Sequence, residues 1–154
     1  MKNELIETWQ IHDRINLYLL DGIELDEHLK DVASSKGRNV GEQFAHMHNV
    51  RLMWFQEAMP ELLNNLVKIE KGEAVTIPLL KSHFTDSGKA VEELLTKSLE
   101  ESRVKGFKPH PQAFLGYLIS HESHHRGKIV LSLKQSGHPV SKKVGFGLWQ
   151  WGTR

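Results

Sequence analysis

The stretch His121-Glu122-Ser123-His124-His125 carries the densest chemistry in this chain. On an α-helix, His121 and His125 lie one turn apart on one face, a spacing at which two imidazoles hold one transition-metal ion. The five residues also spell H-E-x-x-H, the zinc-protease motif, in which Glu122 is the general base. The extended form of that motif needs a glycine at position 128 and a histidine at 131, where this chain has Lys128 and Leu131. The other common form needs a downstream glutamate, and no Asp or Glu follows Glu122. The protease reading therefore lacks a third ligand, which must come from elsewhere.

At about 100° per residue, His121 and His125 share a stripe with Phe114, Leu118 and Ile129. That places both on the expected core face, with His124 at its edge and Glu122 either behind the ligands as a partner or at a helix–helix seam. A second histidine source lies upstream, in Phe44-Ala45-His46-Met47-His48. His46 lies with Val50 and Met53, and His48 with Phe44 and Phe55. Both faces are partly apolar. The aliphatic stripe favours His46 as third ligand, with His48 as its competitor. Three imidazoles leave an open position for water or substrate, as catalysis requires.

The elements that must position these residues are helical. Apolar residues recur at three and four over 3–20, ending at Asp21-Gly22. Leu25, Leu29 and Val32 suggest a short helix. Asn39 and Glu42 form a capping box that opens a helix over 40–58, stopped before Pro60. Residues 61–77 include a short helical stretch. A third long helix is expected over 78–103 and a fourth over 111–135, ending at Gly137. The last fifteen residues read as a glycine- and tryptophan-rich tail, with Trp149 and Trp151 covering the open end or else lining the pocket mouth or a dimer seam. The prediction is all-α, one domain over 1–154, a four-helix bundle with a metal site in its core.

Composition narrows the function. With 20 basic and 19 acidic residues, nothing invites nucleic acid or an anionic membrane. With no cysteine, thiolate ligands and thiol nucleophiles are excluded, so an interior metal must use His, Asp or Glu. The opening residues do not read as a signal peptide, and a cytoplasmic location is expected. His12, His28, His83, His110 and His138 lack paired spacing and read as surface or loop residues. Gly127 reads as a site of close helix packing or else as room for a ligand, and Arg51 as a side chain that snorkels or pairs with an acid, or else contacts substrate.

Two segments carry a resemblance. Val40-Gly-Glu-Gln-Phe-Ala-His46, followed by Val50 and Trp54-Phe55, resembles the first-histidine segment of the DinB-like family. His121-Glu-Ser-His-His125-Arg126-Gly127-Lys-Ile resembles its second motif, with Lys128 where Gln is frequent. Gly137-His-Pro139 and Leu148-Trp-Gln-Trp-Gly152 are similar to its usual ending. The resemblance covers nearly the whole chain. It implies a four-helix bundle, frequently dimeric, with a three-histidine site for a divalent metal on His46, His121 and His125. The family includes damage-inducible proteins of unknown activity. Relatives of the fold are S-transferases and isomerases using bacillithiol, mycothiol or glutathione.

The expected function is thus a metal-dependent enzyme, such as a low-molecular-weight-thiol S-transferase, using zinc, nickel or iron and working as a homodimer on a small molecule. Glu122 and Arg126 are the candidate catalytic residues, Arg126 as a contact for a substrate carboxylate, or else as a salt bridge to the first or third long helix. The alternatives are a non-enzymatic, stress-induced metal-binding bundle and a hydrolase with Glu122 as base.

Overall fold

A computed structural model describes all residues from Met1 to Arg154. The chain is all-α. Its helices are α1 (Lys2–Asp21), α2 (Val40–Ala58), α3 (Ile77–Glu101), α4 (Pro111–Gln135) and the short α5 (Lys142–Gly147). Two 3-10 turns, Asp26–Lys30 and Pro60–Asn65, sit in the connections. No helix is long and apolar enough to cross a membrane.

Local chemistry fixes the starts. The Asn39 side chain accepts from the Glu42 N–H at 2.8 Å and opens α2. Only this half of the expected capping box forms. Thr76 caps α3 through the Leu79 N–H, with Pro78 in the first turn. The His110 ring caps α4 through the Ala113 N–H, ahead of Pro111. At the far ends, Ser102 closes α3 with φ of 58°, and Gly137 follows α4 with φ of 83°.

The four long helices pack on one another, α1 against α3 and α4, and α2 against the same two. Their buried faces form two apolar clusters. One contains Leu19, Leu20, Phe44, Met47, Leu80, Phe84, Ile129 and Leu133. The other contains Trp9, Leu52, Phe55, Val91, Leu95, Phe114 and Leu118. Between them lies a layer of buried polar side chains drawn from the middle of each helix: His12 and Asn16, His48 and Arg51, Ser87, and Glu122. The Arg51 guanidinium lies 4.9 Å from the Trp9 ring and 4.7 Å from the Phe84 ring, one from each cluster.

Several sequence expectations need correction here. The tail is not irregular throughout: Ser141 caps α5 through the Val144 N–H. This short helix sits so close to α1 that a Cβ on Gly147 would run into the Tyr18 ring. Trp149 does not cover an open end; it is 82% exposed. His12 is no surface residue but fully buried in α1, and His28 is buried in a 3-10 turn, stacked at 3.8 Å on His138. Both were misread because their partners come from distant segments, which spacing within one segment cannot reveal. Gly127 permits no close packing, since a Cβ there would meet nothing within 4 Å.

Candidate metal centre

His46 sits in α2, and His121 and His125 occupy successive turns of α4, the helix packed against it. The structure brings the three together, with one ligand nitrogen from each lying within 4.8 Å of the others. The Nε2 atoms of His46 and His121 are 3.3 Å apart. Two imidazoles bound tetrahedrally at about 2.0–2.1 Å from one zinc stand about 3.3 Å apart, so this pair already has the required spacing. Ring centroids are 5.2 Å apart for His46 and His121, 4.6 Å for His46 and His125, and 4.7 Å for His121 and His125.

Burial, reinforced by nearby cations, keeps the cluster neutral. It lowers the His46 pKa to about 4, with Arg38, His121 and Lys128 adding to the effect. It lowers His125 to about 3, helped by His121, His46, His124 and Lys128. His121 also shifts down, chiefly by burial, although Glu122 pulls the other way. Neutral imidazoles keep the lone pairs that a metal needs. The Nδ1 of His125 meets the Gln43 side-chain oxygen at 2.6 Å. The Tyr117 ring lies beside His121, nearly parallel, with centroids 6.3 Å apart. These donors fit a divalent transition ion: three imidazoles, none protonated at neutral pH, with two nitrogens at metal-bridging distance.

His48 does not join them. Its Nε2 donates to the Val67 carbonyl at 2.8 Å, and its Nδ1 pairs with the Ser87 hydroxyl at 3.1 Å. The aliphatic stripe that pointed to His46 is not the buried face of α2, because Met53 is exposed while His48 and Arg51 are buried. His46 reaches the cluster from the margin of the helix interface. His124 is exposed beside His125.

Glu122 lies inside the buried stripe of α4, with Leu118, His125 and Ile129, whereas His121 lies at its edge. The glutamate is 1% exposed and Arg51 is 0% exposed. Arg51 grips the carboxylate with two bonds, Nε to Oε2 at 2.7 Å and Nη2 to Oε1 at 2.6 Å. Asn16 donates to Oε1 at 2.8 Å, and the His12 Nε2 lies 3.1 Å from the same oxygen. Burial alone would raise the Glu122 pKa, but Arg51 and His12 hold it well below the usual carboxylate range. Arg51 also donates to Asp13 at 2.8 Å and to Ser87 at 3.1 Å. Burial pushes the Asp13 carboxyl up to about 6 against that pull. Both Glu122 oxygens are thus committed to structural partners.

Arg126 makes no salt bridge. It donates to the Asn16 side-chain oxygen at 2.7 Å and to the Ser123 hydroxyl at 3.1 Å. Sequence reasoning missed His12, Asn16 and Gln43. The first two form the far side of a network that spacing within α4 could not disclose. Gln43 stands three residues before His46, one turn away, and that spacing was the available signal.

Fold and site together define an all-α protein with a three-histidine cluster compatible with metal binding. The DinB family model matches residues 1–145, and the chain belongs to that family. No curated protein and no solved structure gives a match.

Proposed function

We propose that the protein is a four-helix bundle that binds a divalent transition metal in its core and acts as a low-molecular-weight-thiol S-transferase. The observation that carries this reading is the cluster of His46, His121 and His125 in a chain of the DinB family. Three protein ligands leave coordination room for an exogenous one. The permanent charges that bear on His46 and His125 are cationic, Arg38 on the first and Lys128 on both. With no carboxylate among the donors, such a site favours an anionic ligand, and a thiolate is one. The bound ion supplies Lewis acidity that lowers the pKa of a thiol. The chain has no cysteine, so the thiol is a cosubstrate. It gives up its proton to bulk solvent, its sulfur bonds to an electrophilic carbon, and the leaving group departs with the bonding pair. Imidazole ligands suit zinc, nickel and iron alike. The protein so proposed is a cytoplasmic homodimer taking a small molecule, with no nucleic-acid or membrane partner.

One observation favours a second reading, a non-catalytic metal-binding bundle. The carboxylate nearest in sequence to the cluster, Glu122, is held by Arg51 and is not free to serve as a base. The same observation counts against hydrolysis with Glu122 as base. To test the proposal, protein loaded with zinc, nickel or iron is given an electrophile and glutathione, bacillithiol or mycothiol, and loss of thiol is followed. Turnover that disappears with a chelator and in His46→Ala supports the transferase. Tight metal binding without turnover on any thiol rejects it and leaves the second reading.

A further inference from the structure

Gln43 is buried in α2, one turn before His46, and its amide bridges two groups. Its nitrogen points to the Arg38 carbonyl oxygen, at a long 3.5 Å. Its oxygen faces the His125 Nδ1 at 2.6 Å. The opposite amide orientation would set its oxygen against the Arg38 oxygen, so the carbonyl selects the orientation. An amide oxygen only accepts, so the His125 Nδ1 must carry the hydrogen. A neutral imidazole has one such hydrogen, and Nε2 is left with the lone pair.

The other two histidines lack this control. The Nδ1 of His121 is buried without a partner. The hydrogen bond of His46 runs through Nε2 to His121 Nε2, where either ring can donate. Among the three, His125 is the ring whose tautomer the protein dictates.

We propose that Gln43 is a positioning residue that holds His125 as the Nδ1–H tautomer and so presents Nε2 to a divalent ion. The ligand half of this assignment rests on the metal reading above; the tautomer half does not. Hydrogen-bond partners on the outer nitrogen of a metal-bound histidine orient the ring and raise its basicity.

The test has two arms. In metal-free protein labelled with nitrogen-15, long-range proton–nitrogen spectra at neutral pH report the His125 tautomer directly. Wild type is expected to show a protonated Nδ1 and a bare Nε2, and Gln43→Leu a shift toward the other tautomer. In the second arm, zinc affinity is measured by competition with a chromophoric chelator. Gln43→Leu should lose about 10–100-fold, whereas Gln43→Glu, which keeps an acceptor, should stay close to wild type. Gln43→Met, nearer in length, is the second acceptor-free variant should Gln43→Leu fail to fold. A wild-type His125 protonated on Nε2, or acceptor-free variants with undiminished zinc affinity, overturns the proposal. A wild type that binds no zinc, nickel or iron sinks the metal reading and the ligand half with it, while the spectrum decides the tautomer separately.

Discussion

Replacing Glu122 by Gln changes almost no volume but removes one charge from a fully buried pair. Four donor groups now converge on this carboxylate, Arg51 Nη2, Asn16 and His12 on one oxygen and Arg51 Nε on the other. An amide has one oxygen and one NH2 group, so at least one donor must face another donor. The least costly placement sets the NH2 against Arg51 Nε and keeps the three bonds to the other position. Arg51 then retains Asp13 at 2.8 Å as its only carboxylate. Breaking a buried pair by removing one partner costs roughly 3–5 kcal/mol, and the surviving Asp13 contact argues for the lower end. A loss of about 3 kcal/mol is a large share of a typical stability of about 5–15 kcal/mol. In a chain of this size it lowers Tm by roughly 6–12 °C. The assay is urea unfolding followed by circular dichroism, at neutral pH with chelator present so that no metal contributes. Arg51→Met and the double variant close a cycle, and a coupling of about 2 kcal/mol is expected between the two sites. A Glu122→Gln protein within about 1 kcal/mol of wild type, or an additive cycle, refutes the assignment of this carboxylate to the fold.

Three further outcomes follow from the same geometry. His46→Ala should abolish zinc binding in a chelator competition, whereas His48→Ala should keep it and lose about 1–3 kcal/mol of stability, since it removes a buried ring and its bonds to the Val67 carbonyl and the Ser87 hydroxyl; the reverse pattern rejects the ligand set. Metal-free protein should lose stability as pH falls from about 6.5 toward 4. Burial depresses His46 and His48 to about 4 and also lowers His12, His121 and His125, so the unfolded chain binds more protons in that window; Asp13, raised to about 6, opposes them alone. A urea midpoint that is flat or rises over this range contradicts the burial of these rings. Gly127→Ala should stabilise by up to about 1 kcal/mol, because its Cβ meets nothing, whereas Gly88→Ala should destabilise by about 1–3 kcal/mol, because its Cβ collides with the Asp13 carboxylate; equal signs in thermal melts would contradict the packing.

The long helices were legible because their signals are local: apolar recurrence, Asn39 as a cap, Pro60 and Gly137 as stops. Their ends shift by only a residue or two. His121 and His125 were legible as a pair because i and i+4 is a relation within one helix. His46 does lie beside His121 and His125, but not for the reason its aliphatic stripe suggests, since that stripe faces partly outward. Glu122 shows the deeper limit. A wheel centred on the histidines assigns a charged residue to a seam by default, yet Glu122 lies inside the buried stripe itself. What makes that burial tolerable is Arg51, seventy-one positions away, and no periodicity connects the two. His12 was misread for the same reason.

The polar layer across the middle of the fold has a consequence for alignment. Apolar side chains are poor at telling one helix register from another, because a slide by one turn, about 5.4 Å, replaces leucine with leucine. The same slide would carry Glu122 past Arg51, Asn16 and His12 together and leave a buried charge without its partner, at roughly 3–5 kcal/mol. His121 is the next residue along the backbone from Glu122, and His46 precedes Arg51 by little more than one turn. The ion pair therefore acts as a vernier between α2 and α4. Both halves of the apolar core can drift in sequence while the three imidazoles keep their mutual spacing.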